Sequence, residues 1–138
     1  MIIFADWNDC LIIIKNEVIE RNFISSNCEI IGMDFYHKGL HGKEVIGVFT
    51  YITKSLKCIP LCISIMKNNE METIEKLLQK IKNHFKMNEN TTIMMDNHPS
   101  QKGAAEKTKF NFILCKFHIL KCIYCTIFPV FVIVIHVC

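Results

Sequence analysis

Two short runs of strand type in this sequence each deliver one carboxylate near their end. Residues 30–36 are apolar around Asp34, and residues 91–96 form a second β-prone run that finishes on Asp96. An ionised carboxylate beside an apolar core is costly unless it is paired or binds a metal. For either acid alone, capping of the following turn is a sufficient explanation. We expect the two acids on neighbouring strands, where they would make a divalent-metal site.

The segments after the first run predict an antiparallel meander. Residues 45–53 and 58–66 are dense in β-branched and aromatic residues, and short polar connections separate them. Three consecutive strands joined by short loops form such a meander, with the first acid on its opening strand. Pro60 places the third strand at an edge or delays its start, because proline cannot donate to a strand ladder.

A change of hydrophobic period then marks the helical part of the sequence. Apolar residues recur at spacings of three and four over 71–85, which predicts an amphipathic helix with Asn69 as its N-cap. A helical crossover makes the second acid-bearing strand parallel to the strand it leaves. Pro99 opens a further helix over 99–108, and residues 110–117 are strand-like again.

Length and composition set the organisation of the chain. A chain of 138 residues has room for one fold, and its net charge of +3 contains no basic block that would mark a nucleic-acid tail. Eight irregularly spaced cysteines without a signal peptide predict reduced thiols in an intracellular, not secreted, protein. We divide the chain into an N-terminal extension (1–28), a core (29–121) and a hydrophobic tail (122–138).

The N-terminal extension leaves one choice open. Residues 2–4 predict a short strand or an extended entry. The apolar residues of 11–19 fit a buried helix, opened by Asn8 or Asp9, about as well as they fit a strand.

The predicted order β-β-β-α-β-α-β, with acids on the first and fourth strands, is that of a ribonuclease-H-like α/β fold, a mixed sheet with flanking helices. Within that fold, the core resembles the catalytic domain of Mutator-like element (MULE) transposases. Its most diagnostic feature is a C-x-x-H motif about twenty residues after the second acid. The matching residues are 32–36 around the first acid, Pro60, 72–74 on the helix, Asp96 followed by 103–105, and Cys115 with His118.

The resemblance implies a metal-dependent reaction on DNA. In such transposases two aspartates and a later acid hold Mg²⁺ or Mn²⁺ ions, which activate water or a DNA 3′-hydroxyl. The resemblance therefore implies Asp34 and Asp96 as catalytic and metal-binding residues, with Cys115 and His118 as the family motif. It also implies DNA as the partner and a nuclear location, and it is compatible with a homo-oligomer.

The third acid of the family pattern is missing from this sequence. The last acid is Glu106, ten residues after Asp96 and before the C-x-x-H motif, whereas the family's last acid lies well beyond that motif. We therefore expect weak Mg²⁺ or Mn²⁺ binding and an inactive fragment without strand-transfer activity. The alternative is a non-enzymatic remnant that binds DNA or protein, or a small tail-anchored membrane protein.

The hydrophobic tail departs in composition from everything before it. Residues 122–138 contain no Lys, Arg, Asp or Glu, and Pro129 interrupts them. Three interpretations remain open: a truncated or mistranslated end, a membrane anchor slightly shorter than the ~20 residues of a spanning helix, and an extra buried strand.

Cysteine and histidine residues near the tail resemble zinc ligands by residue type. Only three residues separate the two pairs, which is too few to wrap a tetrahedral site. Among the histidines near the acids, His98 is the one that we would test for metal or phosphate contact. The zinc-type residues are Cys115, His118, Cys122 and Cys125.

Overall fold

The computed structural model describes residues 2–6, 11–15, 17–26, 29–37, 44–55 and 57–117. In this part of the chain, seven strands form one mixed sheet in the order β1-β2-β5-β4-β3-β6-β7. The elements are β1 (Ile2–Asp6), β2 (Leu11–Lys15), α1 (Glu17–Ser26), β3 (Ile30–Tyr36), β4 (Val45–Ile52), β5 (Cys58–Met66), α2 (Met71–His84), β6 (Thr92–Met95), α3 (Pro99–Lys107) and β7 (Asn111–Leu114).

Strands β3 to β7 have the ribonuclease-H-like arrangement. Strands β3, β4 and β5 pair in antiparallel succession, which confirms the predicted meander. Strand β6 lies parallel beside β3, and β7 lies parallel beside β6. The helices α2 and α3 lie where the sequence predicts them. The predicted mixed sheet with flanking helices is therefore confirmed.

The N-terminal strands extend this sheet beyond β5. Residues 11–15, for which a helix and a strand fitted equally well, form the strand β2 and pair with β5. The helix α1 follows from residue 17, so the helix alternative for 11–19 holds only for the last three of those residues. Its Phe23 lies 5.5 Å from Tyr51 and 5.7 Å from Phe85 between ring centroids. Aromatic packing against the sheet and α2 therefore holds α1 in place.

The expectation that Pro60 puts its strand at an edge or delays its start is wrong. Strand β5 lies between β2 and β4. The proline is tolerated because β2 pairs with β5 only over residues 62–65, which leaves Pro60 outside that ladder. On the other side, the β4–β5 register shifts between Phe49 and Thr50, so that Leu61 is the extra residue of a bulge.

The N-cap of α2 also differs from the prediction. The position before Met71 is Glu70, whose side chain makes no capping hydrogen bond. Asn68, rather than Asn69, supplies the polar group at this end. Its Oδ1 accepts hydrogen bonds from the Glu70 backbone N–H at 3.2 Å and from the Thr73 hydroxyl at 2.7 Å.

The two faces of the sheet differ in burial. Alternate residues of β4 are buried on the side that packs against the helices, where Phe49 and the α2 residues Leu77 and Ile81 are fully buried. On the other side, the side chains whose burial the structure describes are at most half-buried. We call this side the open face; one cross-strand row on it runs Ile14, Ile63, Val48 and Asp34.

Candidate functional site

Parallel pairing of β3 with β6 brings the two strand-end carboxylates together. Gly32 is paired with Met94 in this ladder. Asp34 and Asp96 each lie two residues further along the chain, so they come opposite each other. Because side chains two residues apart share one face of a sheet, both carboxylates lie on the open face. The prediction that the two acids lie on neighbouring strands is confirmed.

Both carboxylates border one cavity of about 380 Å³ on the open face. Strand register places its lining residues in two neighbouring cross-strand rows, with the Met33 backbone between them. One row contains Val48, Asp34, Asp96 and Cys115, and the other contains Thr50, Gly32 and Met94.

The two carboxylates have different surroundings. Asp34 is exposed, and its Oδ1 accepts a 2.9 Å hydrogen bond from the backbone N–H of Phe35. Asp96 is half-buried at the end of β6. The cavity therefore has one carboxylate that an approaching ligand meets at the surface and one that is recessed.

The C-x-x-H motif contributes its first residue to this cavity. The backbone N–H of Cys115 donates a 2.8 Å hydrogen bond to the carbonyl of Met95, which extends the β6–β7 pairing and sets Cys115 beside Asp96. His118, the second motif residue, lies outside the described residues, as do Cys122 and Cys125.

Glu106 and His98, the further candidate ligands from the sequence, do not line the cavity. Glu106 is exposed on α3, and His98 is exposed immediately before that helix, where its side chain makes no capping hydrogen bond. The structure therefore does not bring Glu106 to Asp34 and Asp96 as a third cavity-lining carboxylate.

The donor set can be compared with what a metal ion requires. Within the described ranges, no group of three or more His, Cys, Asp or Glu side chains is placed to hold a metal ion. Carboxylate oxygens suit Mg²⁺ and Mn²⁺, and such ions commonly keep several water ligands. Asp34 and Asp96 would therefore supply two oxygen donors to a single hard cation, and water or substrate oxygens would have to complete its ligand set.

Several cavity residues are not evident from the sequence. Thr50 and Val48 carry no motif, and they reach the site only because the antiparallel β3–β4 register pairs them with Gly32 and Asp34. The predicted meander indicates that β4 lies beside β3, but it does not say which residues of the two strands are paired. That register depends on contacts between distant residues.

Comparisons with known proteins find a distant structural similarity. No protein-family model and no curated protein matches the sequence. A similar solved structure is that of the simian T-cell lymphotropic virus intasome in complex with PP2A regulatory subunit B56 gamma, with 16% identity and a TM-score of 0.44. The match covers 75% of this chain and 43% of that chain, so this chain spans less than half of its length. At this level of similarity the function has to be inferred from the site itself.

The membrane alternative rests on residues 122–138, which lie outside the described residues. Within the described ranges, no helix is both long enough and apolar enough to cross a bilayer.

Proposed function

We propose that this chain is a ribonuclease-H-like, DNA-processing domain in which Asp34 and Asp96 hold one Mg²⁺ or Mn²⁺ ion. The observation that carries the proposal is the β3–β6 pairing, which sets the two carboxylates on adjacent strands at the border of one cavity. When bound, such a cation polarises a phosphodiester oxygen and lowers the pKa of a bound water.

The negative charges at the cavity make a bound cation a requirement of the proposed DNA binding. Among the described residues that line the cavity, Asp34 and Asp96 are negatively charged and none carries a positive charge. A DNA phosphate would therefore be repelled by the metal-free site, because like charges at short range are unfavourable. Asp34 is exposed and would meet the cation from the solvent side, where a phosphate arrives. The half-buried Asp96 would hold the same cation from the recessed side.

The finer proposal is that the chain derives from a Mutator-like element transposase. The sequence motifs around Asp34, Asp96 and Cys115 support it, and with it come DNA as the partner, a nuclear location and a homo-oligomeric state. Glu106 does not line the cavity, so among the described residues two carboxylates would hold the cation. We therefore propose weak metal binding and no strand transfer by this chain.

Titration of the purified chain with Mn²⁺, followed by electron paramagnetic resonance, tests the proposal. We expect one weak Mn²⁺ site that is lost in Asp34→Asn and in Asp96→Asn. Glu106→Gln is the matched control, since it removes an exposed carboxylate outside the cavity and should leave Mn²⁺ binding unchanged. Circular dichroism verifies that each variant is folded. Mn²⁺ binding that survives both Asn substitutions would overturn the site.

A DNA-joining assay tests the absence of strand transfer separately. We expect no joined product from the purified chain with Mg²⁺ or Mn²⁺. Metal-dependent joining that is lost in Asp34→Asn would overturn the proposed absence of strand transfer and require a third ligand.

A second candidate function is a non-enzymatic protein-binding module, which the apolar row of the open face favours. Ile14 and Ile63 are 39% and 43% exposed and lie in register with Val48. Substituting Ile63 by Ser would then abolish binding to a protein partner while EDTA has no effect on it. Binding of DNA that requires Mn²⁺ supports the first function instead.

A further inference from the structure

We infer that the cavity beside the two carboxylates is a subsite for one unpaired nucleoside of the nucleic-acid substrate. This inference rests on the proposed function, because the cation held by Asp34 and Asp96 would bind the phosphate attached to that nucleoside. It adds the class of substrate, which is a single-stranded or frayed end rather than an intact duplex.

The cavity exists because one cross-strand row lacks a side chain in its middle. Thr50 and Met94 flank Gly32 from the neighbouring strands β4 and β6. A Cβ atom added at Gly32 would lie 2.7 Å from the Thr50 Oγ1 atom. Even one methyl group therefore cannot be added without displacing that hydroxyl. The gap is bounded by a hydroxyl on one side and a thioether on the other.

The walls of the cavity match the two kinds of surface that a nucleobase presents. Met94 and Val48 offer apolar atoms to the flat face of a base, and a thioether contact with an aromatic ring is favourable. The Thr50 hydroxyl can donate to or accept from a base edge. Enzymes that hold an unstacked base use this combination of apolar faces and edge hydrogen bonds.

The dimensions favour one nucleoside. The cavity volume of about 380 Å³ lies near the small end of the roughly 300–1,000 Å³ that ligand sites span. A paired base within a duplex does not expose its face, so the nucleoside must be unpaired to enter. The position of the cavity next to Asp34 and Asp96 then places the attached phosphate at the cation.

The hydroxyl of Thr50 and the gap at Gly32 give two variants, and the second also displaces the Thr50 hydroxyl. Thr50→Val keeps the shape and removes the hydroxyl, and Gly32→Ala fills the gap. Thr92→Val is the matched control. Thr92 lies on the same face of the sheet and pairs with Ile30. This pair is one row beyond Gly32, on the side away from the carboxylates. None of the three substitutions removes a carboxylate.

The binding experiment titrates each variant with thymidine 5′-monophosphate in the presence of Mg²⁺, using inorganic phosphate as the reference ligand. We expect the nucleotide to bind more tightly than phosphate to the wild-type chain. Thr50→Val should weaken nucleotide binding about fivefold, the effect of one lost neutral hydrogen bond, and leave phosphate binding unchanged. Thr92→Val should change neither. If the nucleotide binds no more tightly than phosphate while Asp34→Asn abolishes both, the subsite is overturned and the metal site stands.

A second measurement keeps the subsite testable if no metal binds. In methyl nuclear magnetic resonance with labelled methionine, the Met94 signal is assigned by Met94→Leu and followed during titration with thymidine, which has no phosphate. We expect a ring-current shift of this signal in the wild-type chain and a smaller shift in Gly32→Ala. An unshifted Met94 signal overturns the subsite whether or not the cation binds.

Discussion

On the helix-covered side of the sheet, Phe49, Ile31 and Ile93 are completely buried, whereas on the open face the intervening residues Val48 and Met94 remain partly exposed. The same strands build both sides, since successive side chains alternate between the two faces. Burial of apolar side chains on the helix-covered side supplies the stability of the sheet. The open face can therefore carry charges and a gap that a packed core would not tolerate.

Two cysteines illustrate the same difference. Burial on the helix-covered side raises the pKa of the Cys62 thiol to about 12, so this thiol stays protonated at neutral pH. Cys115 borders the cavity of the open face and is only half-buried. A thiolate is the reactive form of cysteine, so Cys62 is a structural residue.

The largest expected effect on stability comes from a substitution on the helix-covered side. Phe49→Ala should lower the free energy of unfolding by about 3–5 kcal/mol, because it removes a fully buried ring and leaves a cavity. Ile63→Ala on the open face should cost about 1 kcal/mol or less, since Ile63 is 43% exposed. Urea denaturation followed by circular dichroism measures both. Equal costs would mean that the open face is covered in solution.

A second prediction compares two glycines on opposite faces. A Cβ atom at Gly47 would lie 2.4 Å from Ser64 Oγ and 2.7 Å from Phe35 Cε1, on the helix-covered side. Gly47→Ala should therefore destabilise by about 1–3 kcal/mol through overpacking. Gly32→Ala meets only the Thr50 hydroxyl, which can rotate away, and should cost less. Thermal unfolding decides, and a larger loss for Gly32→Ala would contradict the comparison.

A smaller effect concerns the helix ends on the covered side. Lys86 and Lys109 follow α2 and α3 with φ angles of 52° and 56°, in the left-handed region where glycine is the usual residue. Lys86→Gly and Lys109→Gly should each raise the free energy of unfolding by about 0.5–1 kcal/mol. Lys76→Gly, inside α2, is the control and should lower it by about 1 kcal/mol. Destabilisation by all three substitutions would argue against the left-handed geometry.

The smallest effect is a pH dependence on the covered side. Burial, and then the positive charge of Lys15, lower the pKa of His84 below its ordinary 6.5. Its Nε2 lies 2.7 Å from Glu20 Oε1, and Lys15 contacts the same carboxylate. The unfolded chain therefore binds this proton more readily than the folded chain does. Stability from His84 is present above pH 6.5 and is lost as the pH falls from there through the lowered pKa.

The test of this pH dependence is urea denaturation between pH 5 and 8. His84→Gln should flatten the slope of stability against pH in the window below 6.5. His98→Gln, which removes an exposed histidine, should leave that slope as in the wild-type chain. An unchanged slope in His84→Gln would contradict the assignment.

The order of elements from β3 to β7 follows from the sequence because its signals are local. Period-two and period-3.6 patterns distinguish the meander from α2, and Pro99 marks the start of α3. The two acids could also be predicted on neighbouring strands, but only through the ribonuclease-H-like order of elements. The helical crossover from β5 by itself predicts only that β6 is parallel to β5.

Tertiary structure alone decided what depends on pairing between distant residues. The apolar residues of β2 fit a helix and a strand equally well from the sequence. They form a strand because they pair with the edge of β5 that β4 leaves open. Pro60 is tolerated in an interior strand because the β2 ladder ends before it and a bulge follows it on the β4 side. Thr50 joins Gly32 at the cavity through the β3–β4 register. A register shift of one residue would turn every side chain of a strand to the other face, and no local pattern specifies where two strands align.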